Sequence, residues 1–245
     1  MKNIVAVTTF SLTLVLTCMN VAAQTQSRDD VIKEIEAKRA ELTVLEQKVL
    51  AVADSDREKS ASFLSQPQTG IIRLMPRETY DGNAKRALAI RGGGAYYSFG
   101  RKTHEYGYGS DIELQREHLS VGFAGADYGL LLNLGDISLE QVANDHVATR
   151  ALLDYTPPVR EAEVRAEHRK LWQGIELSGF TFKSSIPAKV GDTYLLRSIS
   201  IDESDTVVVF RIVRKDTDGS IILIYKVLKT FPKPKMERTP ITEGN

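Results

Sequence analysis

The chain has 245 residues, 42% hydrophobic and 26% charged, an ordinary globular composition with enough apolar residues for a sizeable core. Its 32 lysines and arginines balance 32 acids. No net field therefore draws it to nucleic acid or to an anionic membrane.

In chain order, the first element is "MKNIVAVTTFSLTLVLTCMNVAA", one lysine followed by an apolar run and then Val-Ala-Ala. Residues 1–23 read as a secretory leader cleaved after Ala23. The apolar run carries several threonines and is short of the roughly 20 residues of a spanning helix, and the residues before Cys18 do not form a lipobox. Localisation is thus expected to be exported, periplasmic or extracellular, with no transmembrane segment once the leader is removed. Cys18 is the only cysteine, so the mature chain would have no disulfide, thiolate nucleophile or cysteine-bound metal. Loss of Lys2 leaves 31 cations against 32 acids.

Residues 28–53, within an N-terminal segment of 27–60, predict a helix without Gly or Pro, rich in Ala, Glu, Lys and Leu. Ile35, Leu42 and Val49 fall at heptad position a, and Val31, Leu45 and Val52 at d, with Lys38 the one polar d residue. That pattern makes 31–52 a candidate coiled coil for a homo-oligomer, or an amphipathic helix docked on its own domain. Residues 61–70 read as a linker.

From 71 to 232 the period becomes that of strands, interrupted by two helices. "DIELQREHLSVGF" predicts a hairpin, and "ADYGLLLNLGD" a buried strand or a loop under the sheet. "SLEQVANDHVATRALLDY" opens with a capping box, Ser138 and Gln141, and "TPPVREAEVRAEHRKLWQG" is expected to start at Thr156 and stop at Gly174. "TYLLRSISI", "TVVVFRIVRK" and "SIILIYKVLKTF" are β-branched and aromatic, apolar on both faces, and joined by "DESD" and "DTDG". Residues 233–245 are Pro-containing and expected to be disordered. The fold class is α+β: an N-terminal amphipathic or coiled-coil helix, then a mainly antiparallel β domain with two inserted helices.

The stretch "RGGGAYYSFGRKTHEYGYGSDIEL" (91–114) carries the candidate chemistry. It is not a phosphate loop: five residues, not four, separate Gly94 from Gly100, and Arg101 intrudes before Lys102-Thr103. His104-Glu105 lacks a second histidine at metal-site spacing, so no metal and no cofactor are expected. Ser110 is not framed as a nucleophile elbow. What remains is aromatic. Six of the nine tyrosines fall between residues 80 and 128, a mixture with glycine that suits either a packed sheet or a recognition surface. Tyr96, Tyr97, Tyr106 and Tyr108 are the candidate ligand contacts. A two-residue Asp218-Gly219 turn would set Arg211 opposite Lys226, with Arg197 alongside for one length of the preceding loop. Such a row of cations would hold an anion unless acids such as Glu161, Glu163 or Glu167 neutralise it.

The sequence therefore reads as an exported, non-catalytic binding or structural protein of the cell envelope, with a glycan or an anion as candidate ligand. The alternative is a periplasmic enzyme acting on envelope material through His104, Glu105, Tyr106 and Asp111. That alternative requires the four side chains to converge in one pocket.

Overall fold

The computed structural model describes residues 27–79, 90–107, 109–123, 127–142 and 145–237. The expected leader, Tyr80, residues 81–89, Tyr108 and the last residues of the tail lie outside the described residues. The architecture is α+β, antiparallel sheets with a few helices. The chain divides into two units, residues 1–39 and 40–245.

Helix α1 (Arg28–Val49) has Asp29 and Asp30 in its first turn and Lys48 in its last, each favourable to the helix dipole. It ends four residues before the expected boundary. Leu50 and Val52 leave the helical path and are buried, Val52 against Ile71 and Ile222. Val52 is therefore a core residue outside the helix, and the expected unbroken stripe over 31–52 stops at Val49. The end of the expected N-terminal segment and the start of the expected linker instead form two short helices, α2 (Asp54–Lys59) and α3 (Ala61–Leu64). Asp56 of α2 pairs with Arg214 at 2.8 Å, and Phe63 of α3 is buried.

Eleven strands follow among the described residues: β1 (Thr69–Leu74), β2 (Tyr96–Tyr97), β3 (Ile112–Gln115), β4 (His118–Ser120), β5 (Tyr128–Gly135), β6 (Ile175–Leu177), β7 (Phe180–Phe182), β8 (Ser185–Pro187), β9 (Thr193–Ser200), β10 (Ser204–Lys215) and β11 (Ile221–Thr230). A large antiparallel sheet has the order β1-β11-β10-β9-β5, and a small one the order β2-β3-β4-β8. β6 and β7 form a separate hairpin. The β5 edge is closed where Leu131 and Lys183 exchange backbone bonds of 2.8 and 2.9 Å, which blunts an edge otherwise free to pair.

The apolar residues on both faces of β9–β11 follow from the layering. One face packs on the small sheet, with Leu74, Tyr194, Phe210 and Tyr225 meeting Tyr97, Phe99, Ile112 and Leu119. Tyr194 and Phe210 stack at 5.1 Å, and Phe99 meets Tyr225 edge-on at 4.8 Å. The other face carries Leu130, Leu195, Val207 and Val209 against helices α4 (Val147–Asp154) and α5 (Glu161–Gln173) and the β6–β7 hairpin. With both faces covered, alternation has no solvent side on which to place polar residues.

Both inserted helices start later than expected. The Ser138/Gln141 capping box is present but opens only a short 3-10 turn, Leu139–Gln141. α4 is capped separately by His146, whose Nδ1 accepts the Ala148 N–H at 3.3 Å. α5 begins after Arg160, not Thr156. The Pro157-Pro158 pair holds the preceding residues extended. In the tail, residues 233–237 are held by backbone bonds, Asp202 N–H to Pro234 O at 2.8 Å and Glu237 N–H to Val159 O at 2.9 Å. Disorder from 233, as expected from the sequence, is therefore not found over 233–237.

Candidate functional site

The small sheet has two unlike faces. Its inner residues, Tyr97, Ile112, Leu114, Leu119 and Ile186, belong to the core between the sheets. On its outer face the strand partners line up in one row, Tyr96–Glu113–Ser120–Ser185, one residue from each of the four strands. A cavity of about 530 Å³ lies over this row and includes all four residues in its lining, together with Gln115 of β3. Its remaining walls come from Tyr106 and Gly92, from Phe123, and from Trp172 in the last turn of α5.

Local chemistry explains each wall. The three consecutive glycines wind a turn with φ of 90°, 58° and 79° at Gly92, Gly93 and Gly94, a conformation that side chains resist. A Cβ on Gly92 would lie 2.6 Å from Tyr106 Cβ and 2.7 Å from the Tyr96 ring. The glycine thus lets the two tyrosines approach, with ring centroids 4.5 Å apart and Phe123 edge-on to Tyr96 at 5.2 Å. Arg91 lies over Tyr106 at 5.7 Å, within cation–π range. The turn is anchored where Ile90 N–H donates to Glu46 Oε1 at 2.8 Å, and Glu46 is buried.

The polar groups of the floor are few. Arg77 pairs with Glu113 at 3.0 Å. The hydroxyls of Ser120 and Ser185 are 2.9 Å apart. The Ser184 hydroxyl, in a residue only 2% exposed, has no hydrogen-bond partner among the described residues. Trp172 stands out of the last turn of α5 with 68% of its surface exposed, while its neighbour Leu171 is fully buried.

The residues singled out from the sequence separate into three groups. Tyr96 and Tyr106 line the cavity, whereas Tyr97 faces the core and is hydrogen-bonded to Tyr225 at 3.3 Å. Burial pushes the Tyr97 phenol well above its ordinary range. Tyr108 lies outside the described residues. The set His104, Glu105, Tyr106 and Asp111 does not converge. His104 Nε2 meets Arg73 O at 2.6 Å and its ring lies edge-on to Tyr97, and burial lowers its pKa, so it serves as a neutral donor to a strand carbonyl. Asp111 is buried and accepts the Phe99 N–H at 2.7 Å. Burial raises its carboxyl to about 6 against hydrogen bonds that lower it. Glu105 is exposed. Of the four, only Tyr106 reaches the cavity.

The three cations are each consumed by the fold. Arg197, 2% exposed, makes a bidentate pair with Asp205 at 2.9 and 2.8 Å, donates to Leu152 O and Tyr155 O at 2.5 and 2.6 Å, and lies over Phe231 at 4.2 Å. Arg211 pairs with Asp136 at 2.6 Å and donates to Ile137 O. Lys226 donates to Gln66 at 3.1 Å. All three share the helix-facing side of the large sheet, but the expected facing pair is absent, for Arg211 lies opposite Ile224 and Lys226 opposite Val209. The turn is one residue longer than expected, Thr217-Asp218-Gly219 closed by Asp216 N–H to Ser220 O at 2.8 Å, with Gly219 at φ 85°, which is the three-residue loop with a glycine bulge. A second register shift follows between Ile212 and Arg214. The neutralising acids are Asp205 and Asp136, not glutamates of α5. Glu167 instead accepts the Tyr155 hydroxyl at 3.1 Å.

Glu113, Gln115, Ser120, Ser185 and Trp172 were not singled out from the sequence. The signal for the first three was available: once Ile112 and Leu114 point inward, Glu113 and Gln115 must point outward. Ser185 has no such signal, because the pairing of β8 with β4 crosses 65 residues. Among the described residues, no group of three or more His, Cys, Asp or Glu could hold a metal ion, and no helix is long and apolar enough to cross a membrane. Compared with protein-family models, curated proteins and solved structures, the chain matches none.

Proposed function

We propose that the chain is an exported, non-catalytic binding protein of the cell envelope, which self-associates through its N-terminal helix and takes a ligand in the cavity on the outer face of the small sheet. The observation that carries the binding reading is the Tyr96–Glu113–Ser120–Ser185 row under that cavity. Aromatic walls with a small number of fixed polar groups are the usual make-up of a ligand site. Export rests on the leader pattern of residues 1–23. The enzyme alternative loses its support because His104, Glu105 and Asp111 have separate local partners or none at the cavity.

The binding reading is tested by a fragment screen with ligand-observed NMR on the wild-type chain and on Ser120→Phe, which fills the middle of the row. Hits lost in the variant support the reading. A screen with no Ser120-sensitive hit removes it.

Self-association is supported by a different surface. In the last two turns of α1, Glu46 and neighbouring Leu50 are buried, whereas Leu42, Leu45 and Val49 remain 40%, 56% and 48% exposed. The exposed set is the heptad seam, which continues by spacing to Ile35 and Val31. Glu34 at g and Arg39 at e, five residues on, have the charges that pair across a parallel two-stranded coil. Light scattering on the full chain should give a multimer for wild type and a monomer for Leu42→Asp/Leu45→Asp that remains folded by circular dichroism. Two monomers would end this part of the proposal without touching the cavity.

A further inference from the structure

Resting on that binding reading, we infer that the cavity on the outer face of the small sheet takes a neutral oligosaccharide. Charge decides first. Arg77 and Glu113 are the only charged residues in the described lining, and they neutralise each other. An anionic or cationic ligand would find no unpaired counter-charge within that described lining and would lose hydration. Of the cations that a sequence reading could offer to an anion, Arg197 and Arg211 are paired with Asp205 and Asp136, and Lys226, bonded to Gln66, is not part of this lining.

Shape and polarity decide next. Four residues on adjacent strands span about 14 Å, three inter-strand spacings, so the floor is a track suited to an extended ligand. One end of the track is aromatic, Tyr96 under Tyr106, and Trp172 stands at the wall largely exposed. A pyranose ring offers an apolar C–H face to such rings and a rim of hydroxyls to its surroundings. That rim meets groups that accept and donate in one plane: the Glu113 carboxylate, the Gln115 amide and the Ser120 and Ser185 hydroxyls. Ser184, whose hydroxyl is buried without a partner among the described residues, is part of the same lining. An extended peptide is a poorer match, because strand addition needs a sheet edge and this track offers the face of a sheet.

Trp172 is the only tryptophan of the chain, so its fluorescence reads this wall and nothing else. The full chain is titrated with chitotetraose, cellotetraose and maltotetraose as neutral probes, with tetragalacturonate and tetraglucosamine as charged ones, and with tetra-alanine. At least one neutral tetrasaccharide is expected to shift the emission saturably, with calorimetry giving the same affinity. Ser120→Phe should abolish the shift, and Tyr106→Ala should weaken binding about tenfold, the loss of one stacking platform. If Ser120→Phe fails to fold, judged by circular dichroism, Gln115→Ala serves in its place. Binding of only the charged sugars or the peptide overturns the ligand class and leaves the binding reading intact. So does silence of every probe beside Ser120-sensitive fragment hits. Neutral-sugar binding untouched by the variants overturns the location, and silence in both experiments overturns inference and reading together.

Discussion

The two sheets differ in what covers their second face. The large sheet is closed on both sides, by the small sheet on one and by α4, α5 and the β6–β7 hairpin on the other. The small sheet is closed on its inner face alone, and its outer face forms the floor of a cavity. The contrast extends to buried charge. Arg197 sits in the fully covered layer with four hydrogen bonds to Asp205 and two carbonyls. The Arg77–Glu113 pair sits on the open face, and Arg77 keeps about a third of its side chain exposed. Where both layers are present, the Arg197 guanidinium is spent wholly on the fold. Where one is missing, polar groups remain available to a ligand.

The largest effect should come from the covered layer. Arg197→Met strands Asp205 as a buried charge, which costs about 3–5 kcal/mol. Chemical denaturation measures it, and Arg197→Met/Asp205→Leu should recover much of the loss. A single variant as stable as wild type would mean that the pair does not hold β9, β10 and α4 together.

Next in size is a contrast between neighbours on β4. Leu119 is fully buried between the sheets, and Leu119→Ala should cost about 3 kcal/mol. Ser120, one residue on, faces the cavity, and Ser120→Phe should cost no more than about 1 kcal/mol, the loss of its hydrogen bond to Ser185. Equal costs at both positions would show that the outer face is packed as tightly as the inner one.

Asp111 lies at the margin of the two regimes, buried between serines but accepting a backbone bond. Burial holds its folded pKa at about 6, above its ordinary 3.8. Between these values the folded chain retains a proton that the unfolded chain has released, so the contribution of Asp111 to stability is greatest at acid pH and falls as pH rises from about 4 to about 6. The full drop is on the order of 3 kcal/mol. Asp111→Asn keeps an acceptor for Phe99 N–H and should remove most of that slope. Thermal melts at pH 4, 5, 6 and 7 would show it, and an unchanged slope would assign the titration to other groups.

Much of the layering was legible in the sequence, and the reason is periodicity. Alternation in "DIELQREHLS" gives the β3–β4 hairpin and its two faces, and the unbroken apolar runs of β9–β11 predict a sheet covered twice. What was not legible depends on counts of single residues and on long-range pairing. One additional turn residue and the register shift after it moved Arg211 from Lys226 to Ile224. The row under the cavity needs β8 beside β4, and no local pattern encodes that neighbour. The heptad seam was read one position too far because Val52 suits a core as well as a coil. Tyr96 and Tyr97 were read as one aromatic group, whereas a two-residue period places them on opposite sides of the sheet, one in the cavity and one against Tyr225.

The smallest effect sharpens the comparison from the turn of that same hairpin. Gln115 pairs with His118, so Arg116 and Glu117 form a two-residue loop, and both have positive φ, 47° and 60°. This is the backbone of a tight hairpin turn that favours Asn and Gly, and neither residue is present. Arg116→Asn relieves part of that strain and keeps the Arg116-position N–H that donates to Glu78 at 3.1 Å. A gain of about 1 kcal/mol is expected, read as a higher unfolding temperature with neutral-sugar affinity unchanged, because the turn lies off the Tyr96–Glu113–Ser120–Ser185 row. Stabilisation that also alters the Trp172 signal would mean that the open face is set by the hairpin's strain as well as by its side chains.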